Sequence, residues 1–336
     1  MDIKRVSVIG LGKLGACMLA GIASKGVKVI GVDNDAARVK IVNQGHAPLF
    51  EPRLEQFFRR YKKKISASTD YYTAVLNSDI SFIVVPTPSL ANGEFSLSFV
   101  AKAAKELGKA LAQKQSYHTV VLTSTVLPGT MDNCVKPLLE RFSGKKCAKD
   151  FGLCYNPEFI ALGTVIKNFL NPDFVLIGES DKNSGFLLEK FYRNICENKP
   201  AIARMDFINA ELTKISVNSF VTTKITFANM LSFMAQKLPG GNVDVVTKAL
   251  GYDSRIGSRY LKGGLGFGGP CFPRDNSALS AVAGKLGIGA TIPKATDKFN
   301  RQVILSVFKL IAAKAEKSDS IGILGLSYKP LSNVIE

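Results

Sequence analysis

The chain has 336 residues, 46% of them hydrophobic, so it is long and apolar enough to bury a sizeable core in two or three domains. Its formal net charge is +17, but Lys and Arg are scattered, and the run at residues 59–64 is typical of a solvated helix end. Anionic small substrates account for this charge as well as a nucleic-acid partner would, and we expect no nucleic-acid partner. No apolar run reaches membrane-spanning length and no signal-peptide pattern is present, so we expect a cytosolic protein without a membrane partner.

The cysteines also exclude some classes of protein. The six of them include no CxxC pair, and a chain of this length does not need disulfides to fold. We therefore expect free thiols and no metal site.

The N-terminal residues predict a dinucleotide site. A short apolar strand at residues 5–9 runs directly into Gly10-x-Gly12-x-x-Gly15, which opens an Ala- and Leu-rich helix. Glycines in this setting allow a tight turn and the close approach of a pyrophosphate to the helix N-terminus. A second strand, residues 27–32, ends in Asp33, whose carboxylate suits the ribose hydroxyls of NAD and would repel the 2′-phosphate of NADP. Arg38, nearby, leaves NADP open as an alternative.

Further strands that each end in a turn or loop with polar residues follow along the chain. Residues 80–85 end at Pro86-Thr87-Pro88, residues 119–122 end at Ser124-Thr125, and residues 153–155 lead to Glu158. A fourth strand is predicted at residues 174–177. Ligands bind at the carboxyl ends of strands in open parallel sheets, so Glu158 is predicted either to face that crevice or to begin a helix as its N-terminal carboxylate.

A long helix is predicted from about residue 208 to residue 238, where apolar residues keep helical spacing without Gly or Pro. Glu211, Lys214 and Asn218 share one of its faces. Lys and Asn side chains are suitable donors to a developing oxyanion, although a solvated polar stripe is the alternative. The helix is long enough to offer a face to a second copy of the chain.

A glycine-rich loop at residues 263–275 is the strongest signal in the chain. Its glycines disfavour helix and strand, and the loop presents Cys271 four residues before Asp275. A thiol beside a carboxylate suggests a nucleophile with an acid–base group, while a glycine turn before a buried cysteine is the alternative.

A new strand and glycine turn are predicted near the end, at residues 320–326. The chain is thus predicted to comprise an NAD-binding domain (residues 1–205), a helical domain with the cysteine loop (206–316) and the start of a third (317–336).

These motifs together resemble the UDP-glucose/GDP-mannose dehydrogenase family over the whole chain. The signatures, in order, are Gly10-x-Gly12-x-x-Gly15, Thr87-Pro88, Ser124-Thr125-Val126, Asn156-Pro157-Glu158-Phe159, Asn171-Pro172-Asp173, Glu211-x-x-Lys214-x-x-x-Asn218, Arg255-Ile256-Gly257 and Gly266-Phe267-Gly268-Gly269-x-Cys271-Phe272-Pro273-Arg274-Asp275. The resemblance implies an α/β fold: a Rossmann-like doubly wound parallel sheet, an all-helical central dimerisation domain and the start of a second Rossmann-like domain. Residues 324–330 resemble the beginning of that last, nucleotide-sugar-binding domain, so we expect a C-terminally truncated chain whose sugar oxidation by itself is weak or undetectable.

The activity that the resemblance implies is an NAD-dependent, four-electron oxidation of a nucleotide-sugar C6 alcohol to a carboxylate, with UDP-glucose as the expected substrate. Cys271 would form the thiohemiacetal and thioester, and Lys214 and Asn218 would hold the oxyanion. Asp275 would activate water, and Glu158 and Thr125 match positions assigned to proton transfer and water positioning.

The resemblance also implies the remaining binding residues. Besides the glycines and Asp33, the expected NAD contacts are Leu14, Arg38, Thr87, Pro88, Thr125 and Arg274. The expected sugar contacts are Glu158, Phe159, Lys214, Asn218, Phe267, Gly268 and Arg255, the last reaching a neighbouring subunit. The long helix would form the core of a homodimer.

Two residues depart from the family pattern. Leu162 stands where a second glutamate usually follows Asn-Pro-Glu-Phe, and Arg274 replaces a lysine before the catalytic aspartate. The first change bears on substrate contacts or rate, and the second keeps the charge but not the compact ammonium.

Other functions stay open on the sequence alone. GDP-mannose and UDP-N-acetyl sugars are alternative substrates. A hydroxyacid or phosphogluconate-type dehydrogenase would share the dinucleotide domain and a helical lysine, but it would transfer one hydride and need no thiol. A non-catalytic NAD-binding protein is the remaining alternative.

Overall fold

The computed structural model describes residues 3–316, 318–330, 332 and 334–335. These residues divide into two compact units. The first unit comprises the described residues up to Pro88 together with Phe95–Lys214, and the second comprises Ser89–Glu94 and the described residues from Ile215 onward.

The first unit is built on one eight-stranded sheet in the order β3-β2-β1-β4-β5-β6-β7-β8. Neighbouring strands are parallel except β6 and β7, which are antiparallel. The strands are β1 (Arg5–Ile9), β2 (Lys28–Val32), β3 (Ile65–Ser68), β4 (Ile80–Ile83), β5 (Thr119–Leu122), β6 (Gly152–Tyr155), β7 (Phe174–Glu179) and β8 (Ala201–Met205).

Helices cover both faces of this sheet, which is why its central strands β4 and β5 are buried along their whole length. The helices of the chain are α1 (Lys13–Ser24), α2 (Ala36–Asn43), α3 (Leu54–Arg60), α4 (Tyr71–Leu76), α5 (Ser98–Gln113), α6 (Lys136–Ser143), α7 (Val165–Leu170), α8 (Lys182–Ile195), α9 (Phe207–Lys237), α10 (Val243–Tyr252), α11 (Phe272–Lys285) and α12 (Thr291–Ala312). A 3₁₀ turn covers Lys62–Lys64 and a π-helical turn covers Met131–Val135. None of the helices in the described part of the chain is long and apolar enough to cross a bilayer.

Two buried cores flank the sheet. One packs residues of α1, α3, α7 and α8 against one face, and the other packs residues of α4, α5, α6 and the start of α9 against the opposite face. The edges where ligands bind in such sheets are the carboxyl ends of the strands, and the register sets Ile9 beside both Val32 and Ile83. The segments that follow β1, β2 and β4 therefore leave the sheet at one common edge.

The second unit consists of helices and loops in its described part. Helix α9 begins in the first unit and continues in the second, and α10, α11 and α12 belong to the second. Phe233 of α9 and Phe299 of α12 pack with ring centroids 5.7 Å apart. Buried Asn276 of α11 accepts hydrogen bonds from Ser219 and Thr222 of α9 and donates one to Asp297 of α12. This polar network ties the three helices together.

Most predicted elements are present close to their predicted bounds. Strands β1 and β5 and the long helix α9 are confirmed, and the basic run at residues 59–64 is the end of α3 and the 3₁₀ turn after it. The fold is the expected α/β sheet followed by helices. Strands β3 and β8 were not predicted, since the sequences ISAS and AIARM are short and lack a long apolar run.

The predicted strand at residues 320–326 is not formed. This segment is coil with Ile323 and Leu324 largely exposed, and no strand of the described residues lies beside it. An extended segment needs a neighbouring strand to satisfy its backbone groups, so apolar sequence by itself does not make a ladder.

Candidate active site

The glycine turn after β1 fits a dinucleotide by its shape. Gly10 has a φ of 99°, and a Cβ there would lie 2.3 Å from the carbonyl oxygen of Val84, while a Cβ on Gly15 would lie 1.8 Å from the carbonyl oxygen of Gly10. A Cβ on Gly12, the N-cap of α1, would meet nothing within 4 Å. Gly10 and Gly15 are therefore required by the fold, whereas Gly12 leaves open space at a helix N-terminus that has no acidic residue in its first turn.

Asp33 is fixed directly beside this turn. Its Oδ2 accepts hydrogen bonds from the backbone N–H of Leu11 at 2.8 Å and from Arg38 Nη1 at 3.1 Å, and its side chain is 12% exposed. The carboxylate thus points along the edge that carries the glycines. Arg38 neutralises part of its charge, and Leu14, on the first turn of α1, packs against the adjacent core.

The ends of β4 and β5 are linked by side chains. Thr87 Oγ1 donates to the carbonyl oxygen of Thr125 at 2.8 Å, and Ser124 Oγ accepts from the Val85 N–H at 3.0 Å. Pro88 is exposed, and its carbonyl oxygen accepts from the Ser96 N–H at 2.8 Å. Thr125 is thus partly exposed at the carboxyl end of β5, the edge of the sheet where a ligand would lie.

Glu158 follows β6 in coil, and no helix begins there, so it is not a helix N-terminal carboxylate. Its Oε1 lies 3.0 Å from the Tyr192 hydroxyl, and Lys214 Nζ donates to its main-chain carbonyl oxygen at 2.7 Å. Burial raises the pKa of Glu158 to about 7, against the opposing effects of Tyr192 and of the Lys214 charge. A carboxyl group with a pKa near 7 is suited to exchange protons at neutral pH.

Lys214 is a buried cation, 6% exposed, and not part of a solvated stripe. Its Nζ lies 4.3 Å from the ring centroid of Phe159, whose ring in turn packs against Phe174 at 4.7 Å. A cation over a ring face is stabilised by the ring quadrupole, so Phe159 helps to hold the ammonium in place. The structure thus brings three sequence-predicted residues, Glu158, Phe159 and Lys214, together in the first unit.

Leu162 and Glu211, also singled out on the sequence, are accounted for by their packing and hydrogen bonds. Leu162 is partly buried against the core on the α1 side of the sheet, an apolar environment that suits leucine. Glu211 is fully buried, and its two carboxyl oxygens accept from the N–H groups of Gly129 and Met131 at 2.6 and 2.8 Å. Glu211 therefore anchors the turn after β5 to α9.

In the second unit, Cys271 is the exposed N-cap residue of α11. The end of a helix that carries unsatisfied N–H groups favours a thiolate over a thiol. Asp275, in the next turn, is 3% exposed, and Asn218 Nδ2 donates to its Oδ2 at 2.6 Å. The structure thus places Cys271 and Asp275 on one helical end and joins Asp275 to Asn218, and the interpretation of Cys271 as a buried structural cysteine is wrong.

The glycine loop before Cys271 is held by one asparagine. Asn300 accepts from the Phe267 N–H and donates to the Phe267 carbonyl oxygen, both at 2.8 Å, and a Cβ on Gly266 would lie 2.4 Å from Asn300 Oδ1. Phe267 is buried against Phe272, whereas Gly268 is exposed. A Cβ on Gly269 would lie only 2.7 Å from the ring of Tyr328.

Arg274 and Arg255 occupy different environments. Arg274 is partly buried on the first turn of α11. Arg255 is 87% exposed and pairs with Asp253 at 2.6 Å, so its side chain projects from the surface of the second unit.

Sequence reasoning missed two residues of the Glu158 group. Tyr192 of α8 and Asn156 are each 1% exposed, and the Tyr192 hydroxyl contacts both Asn156 and Glu158. Asn156 belongs to a recognised motif, so its position was a signal, but Tyr192 lies more than thirty residues further along the chain, in a helix that carries no motif.

Comparison with known proteins agrees with this geometry. Residues 4–196 match the NAD binding domain of the UDP-glucose/GDP-mannose dehydrogenase family, and residues 208–302 match its central domain. The chain belongs to this family. It is therefore a member of a family of NAD-dependent nucleotide-sugar dehydrogenases, and its cofactor is NAD.

Individual relatives carry two different substrate names. The chain is 38% identical over 329 residues to the GDP-mannose 6-dehydrogenase of Pseudomonas aeruginosa, covering 97% of this chain and 74% of the relative. It is 34% identical to a UDP-glucose 6-dehydrogenase of Haloferax volcanii, covering 97% of this chain and 76% of the relative. The solved UDP-glucose dehydrogenase of Pyrobaculum islandicum is similar with a TM-score of 0.90 at 32% identity, covering 99% of this chain and 77% of that one.

Proposed function

We propose that the chain catalyses the four-electron oxidation of the C6 alcohol of a nucleotide-linked hexose to a carboxylate. The observation that carries this proposal is the exposed Cys271 at the N-terminus of α11, one turn before a buried Asp275 that Asn218 holds. A single-step alcohol dehydrogenase needs no thiol, whereas oxidation beyond the aldehyde needs a nucleophile that keeps the carbon on the enzyme.

The proposed roles follow from the chemistry of each group. When bound, NAD would supply the oxidant, and two NAD molecules in turn would each accept one hydride from C6. In the first oxidation, the Glu158 carboxylate accepts the hydroxyl proton, with Thr125 positioning a water beside it, while a hydride leaves C6 to give an aldehyde. The Cys271 thiolate then adds to the aldehyde carbon, and Lys214 and Asn218 donate to the resulting oxyanion.

The second oxidation removes the remaining hydrogen on that carbon as hydride and leaves a thioester on Cys271. Water then attacks the thioester carbon, with Asp275 accepting a proton, and the C–S bond breaks to release the carboxylate and the thiol.

Two sets of residues are proposed to bind the substrate and the cofactor. The proposed sugar-binding residues are Glu158, Phe159, Lys214, Asn218, Phe267, Gly268 and Arg255. The proposed cofactor-binding residues are the glycines of the turn after β1 together with Leu14, Asp33, Arg38, Thr87, Pro88, Thr125 and Arg274.

The proposed substrate is UDP-glucose, and the second candidate is GDP-mannose. UDP-glucose is supported by the motif resemblance and by the similarity to the Pyrobaculum islandicum structure. GDP-mannose is supported by relatives of 35–38% identity that are GDP-mannose 6-dehydrogenases.

The test is an assay of NADH release against UDP-glucose, GDP-mannose and UDP-N-acetyl sugars. Two NADH per sugar are expected for the preferred substrate, and one NADH would assign the chain to the hydroxyacid type of dehydrogenase. The Cys271→Ser variant should stop after the first oxidation or stall as a covalent ester. The matched control is Cys134→Ser, which replaces a cysteine in a helical turn of the first unit and should leave the NADH stoichiometry unchanged. Unchanged stoichiometry in Cys271→Ser would refute the covalent route.

We also propose that the chain forms a homodimer through α9. Phe220, Phe227 and Met234 recur every seven residues along this helix and are 68%, 46% and 53% exposed. Aromatic and Met side chains in one stripe on a long helix are typical of a helix–helix seam, and the same stripe is present on every copy of the chain.

A further inference from the structure

The orientation of the Asn156 side chain is set by its two neighbours. Asn156 Nδ2 donates to the carbonyl oxygen of Leu176 in β7 at 2.8 Å, which directs Oδ1 away from that carbonyl. Oδ1 then lies 2.5 Å from the Tyr192 hydroxyl, and both side chains are 1% exposed. A flipped amide would place the two carbonyl oxygens against each other, so the observed orientation is the one that satisfies the bonds.

This orientation of Asn156 determines which neighbour receives the hydrogen bond that the Tyr192 hydroxyl donates. An amide oxygen only accepts hydrogen bonds, and a phenol carries a single proton, so the short contact requires Tyr192 to donate to Asn156. The lone pairs of the Tyr192 oxygen are then left for its other neighbour, Glu158 Oε1, at 3.0 Å. Two oxygens at that separation need a proton between them, and Glu158 is the group that can supply it.

We infer that Tyr192 is a positioning residue that, together with Asn156, holds Glu158 in its protonated form by accepting a hydrogen bond from the Glu158 carboxyl group. The three side chains form a chain in which Glu158 donates to Tyr192, Tyr192 donates to Asn156, and Asn156 donates to Leu176. Asn156 Nδ2, Asn156 Oδ1, the Tyr192 hydroxyl and Glu158 Oε1 each then have a partner of the right kind, as buried polar networks require.

The other groups that face Glu158 are consistent with this direction. Lys214 from α9 favours the ionised carboxylate, but its Nζ bonds the main-chain oxygen of Glu158. Cys196, at the end of α8, has its pKa raised to about 12, chiefly by burial, so it is a neutral thiol and places no charge beside Glu158. Burial outweighs the Lys214 charge in setting the pKa of Glu158.

The consequence rests on the proposed function of Glu158 in proton transfer. Below neutral pH the group is a hydrogen-bond donor, and it accepts a proton only after it has lost its own above neutral pH. Tyr192 and Asn156 thereby set the pH at which the first oxidation can begin, although neither contacts the sugar in the proposed mechanism.

The test measures the protonation of Glu158 directly, without turnover. The chain is labelled with ¹³C at the glutamate side-chain carboxyl, the Glu158 signal is assigned by its loss in Glu158→Gln, and it is titrated with pH. In Tyr192→Phe the neutral acid loses its acceptor, so the pKa of Glu158 should fall by about 1, the effect of one hydrogen bond. In Asn156→Leu the freed Tyr192 proton turns to the carboxylate, and the pKa should again fall.

The alternative gives the opposite sign. If Tyr192 donates to an ionised Glu158, Tyr192→Phe raises the pKa and Asn156→Leu leaves it unchanged, and either result overturns the inference. Tyr72→Phe, which removes a phenol on the α4 side of the sheet, is the control and should leave the titration as in the wild type. Near-ultraviolet circular dichroism verifies folding of each variant.

Activity provides an independent readout. The pH at which kcat/KM rises on the acidic side of its pH profile should move down with the pKa of Glu158 in Tyr192→Phe. If no sugar is oxidised at any pH, the proposed function fails while the titration still decides the role of Tyr192; if sugar is oxidised but the pKa rises in Tyr192→Phe, only the inference fails.

Discussion

At the residue scale, Asp33 is the group expected to select between NAD and NADP. The carboxylate is held by the Leu11 N–H and Arg38, and its position beside the glycine turn suits the ribose of the cofactor. Asp33→Asn removes the charge while keeping the shape, so NAD should bind about tenfold more weakly and the preference over NADP should shrink, because a charged hydrogen bond contributes roughly 1.5–3 kcal/mol. Titration of both cofactors by protein fluorescence measures this.

Asp35→Asn is the control for that measurement. Asp35 is exposed, caps α2 by accepting from the N–H groups of Ala37 and Arg38, and approaches Arg38 only at 4.0 Å. Its loss should weaken the helix cap and leave the NAD preference unchanged. Equal effects of the two substitutions would show that Arg38, and not Asp33, governs selection.

Two glycines of one turn should respond differently to the same substitution. Gly15→Ala would place a Cβ 1.8 Å from the Gly10 carbonyl oxygen, so the chain should fold poorly or melt many degrees lower. Gly12→Ala meets no protein atom within 4 Å, so the thermal midpoint should change by only a few degrees, since an N-cap change costs about 1 kcal/mol or less.

NAD affinity distinguishes the two cases further. Because the open space at Gly12 is where a pyrophosphate would approach the helix, Gly12→Ala should weaken NAD binding at least tenfold in a well-folded protein. Calorimetric melting and NAD titration of the same samples provide both numbers. Undiminished NAD affinity in Gly12→Ala would contradict the assignment of this turn as the cofactor site.

At the element scale, α9 carries the prediction of self-association. Phe227→Glu places a charge in the middle of the apolar stripe formed by Phe220, Phe227 and Met234, and burial of an unpaired charge at an interface is unfavourable. Size-exclusion chromatography with light scattering should show a dimer for the wild type and a monomer for the variant. Phe186→Glu, on an exposed position of α8, should remain dimeric. A monomeric wild type would refute the proposed dimer.

At the scale of the whole molecule, the raised pKa of Glu158 couples folding to pH. The pKa of Glu158 is about 7 in the folded chain against an ordinary 4.5, so between these values the native state binds more protons than the unfolded state. The stability that Glu158 contributes is therefore fully present below about pH 4.5 and is lost as the pH rises through about 7. Relative to Glu158→Gln, the wild type should lose up to about 2 kcal/mol between pH 5 and pH 8.

Urea unfolding of both proteins at each pH measures this difference, in which groups common to the two cancel. Hydrogen bonds to Ala47, His46 and Arg59 lower the pKa of Glu55 to about 2. Glu55 therefore titrates below pH 5 and does not contribute to the change in stability between pH 5 and pH 8. Parallel pH curves for the wild type and Glu158→Gln would show that Glu158 is ionised throughout.

The sequence by itself determined the elements whose cause is local. The strand at Arg5–Ile9, the glycine turn and the helix α9 follow from apolar spacing, from positions that only glycine can occupy, and from the absence of Gly and Pro over thirty residues. Cys271 and Asp275 were predicted as a pair on the glycine loop from their closeness in sequence, whereas the structure begins α11 at Phe272 and so places Asp275 one helical turn beyond Cys271.

Only the tertiary structure decided what depends on residues distant in the chain. Strands β3 and β8 exist because β2 and β7 offer free edges to pair with, whereas the more apolar residues 320–326 have no described strand beside them and are coil. Tyr192 reaches Glu158 because α8 packs back across the sheet, and the direction of their hydrogen bond is set by an amide that a third strand orients. Backbone pairing, burial and hydrogen-bond direction are properties of neighbours in space, and no local pattern of residues encodes them.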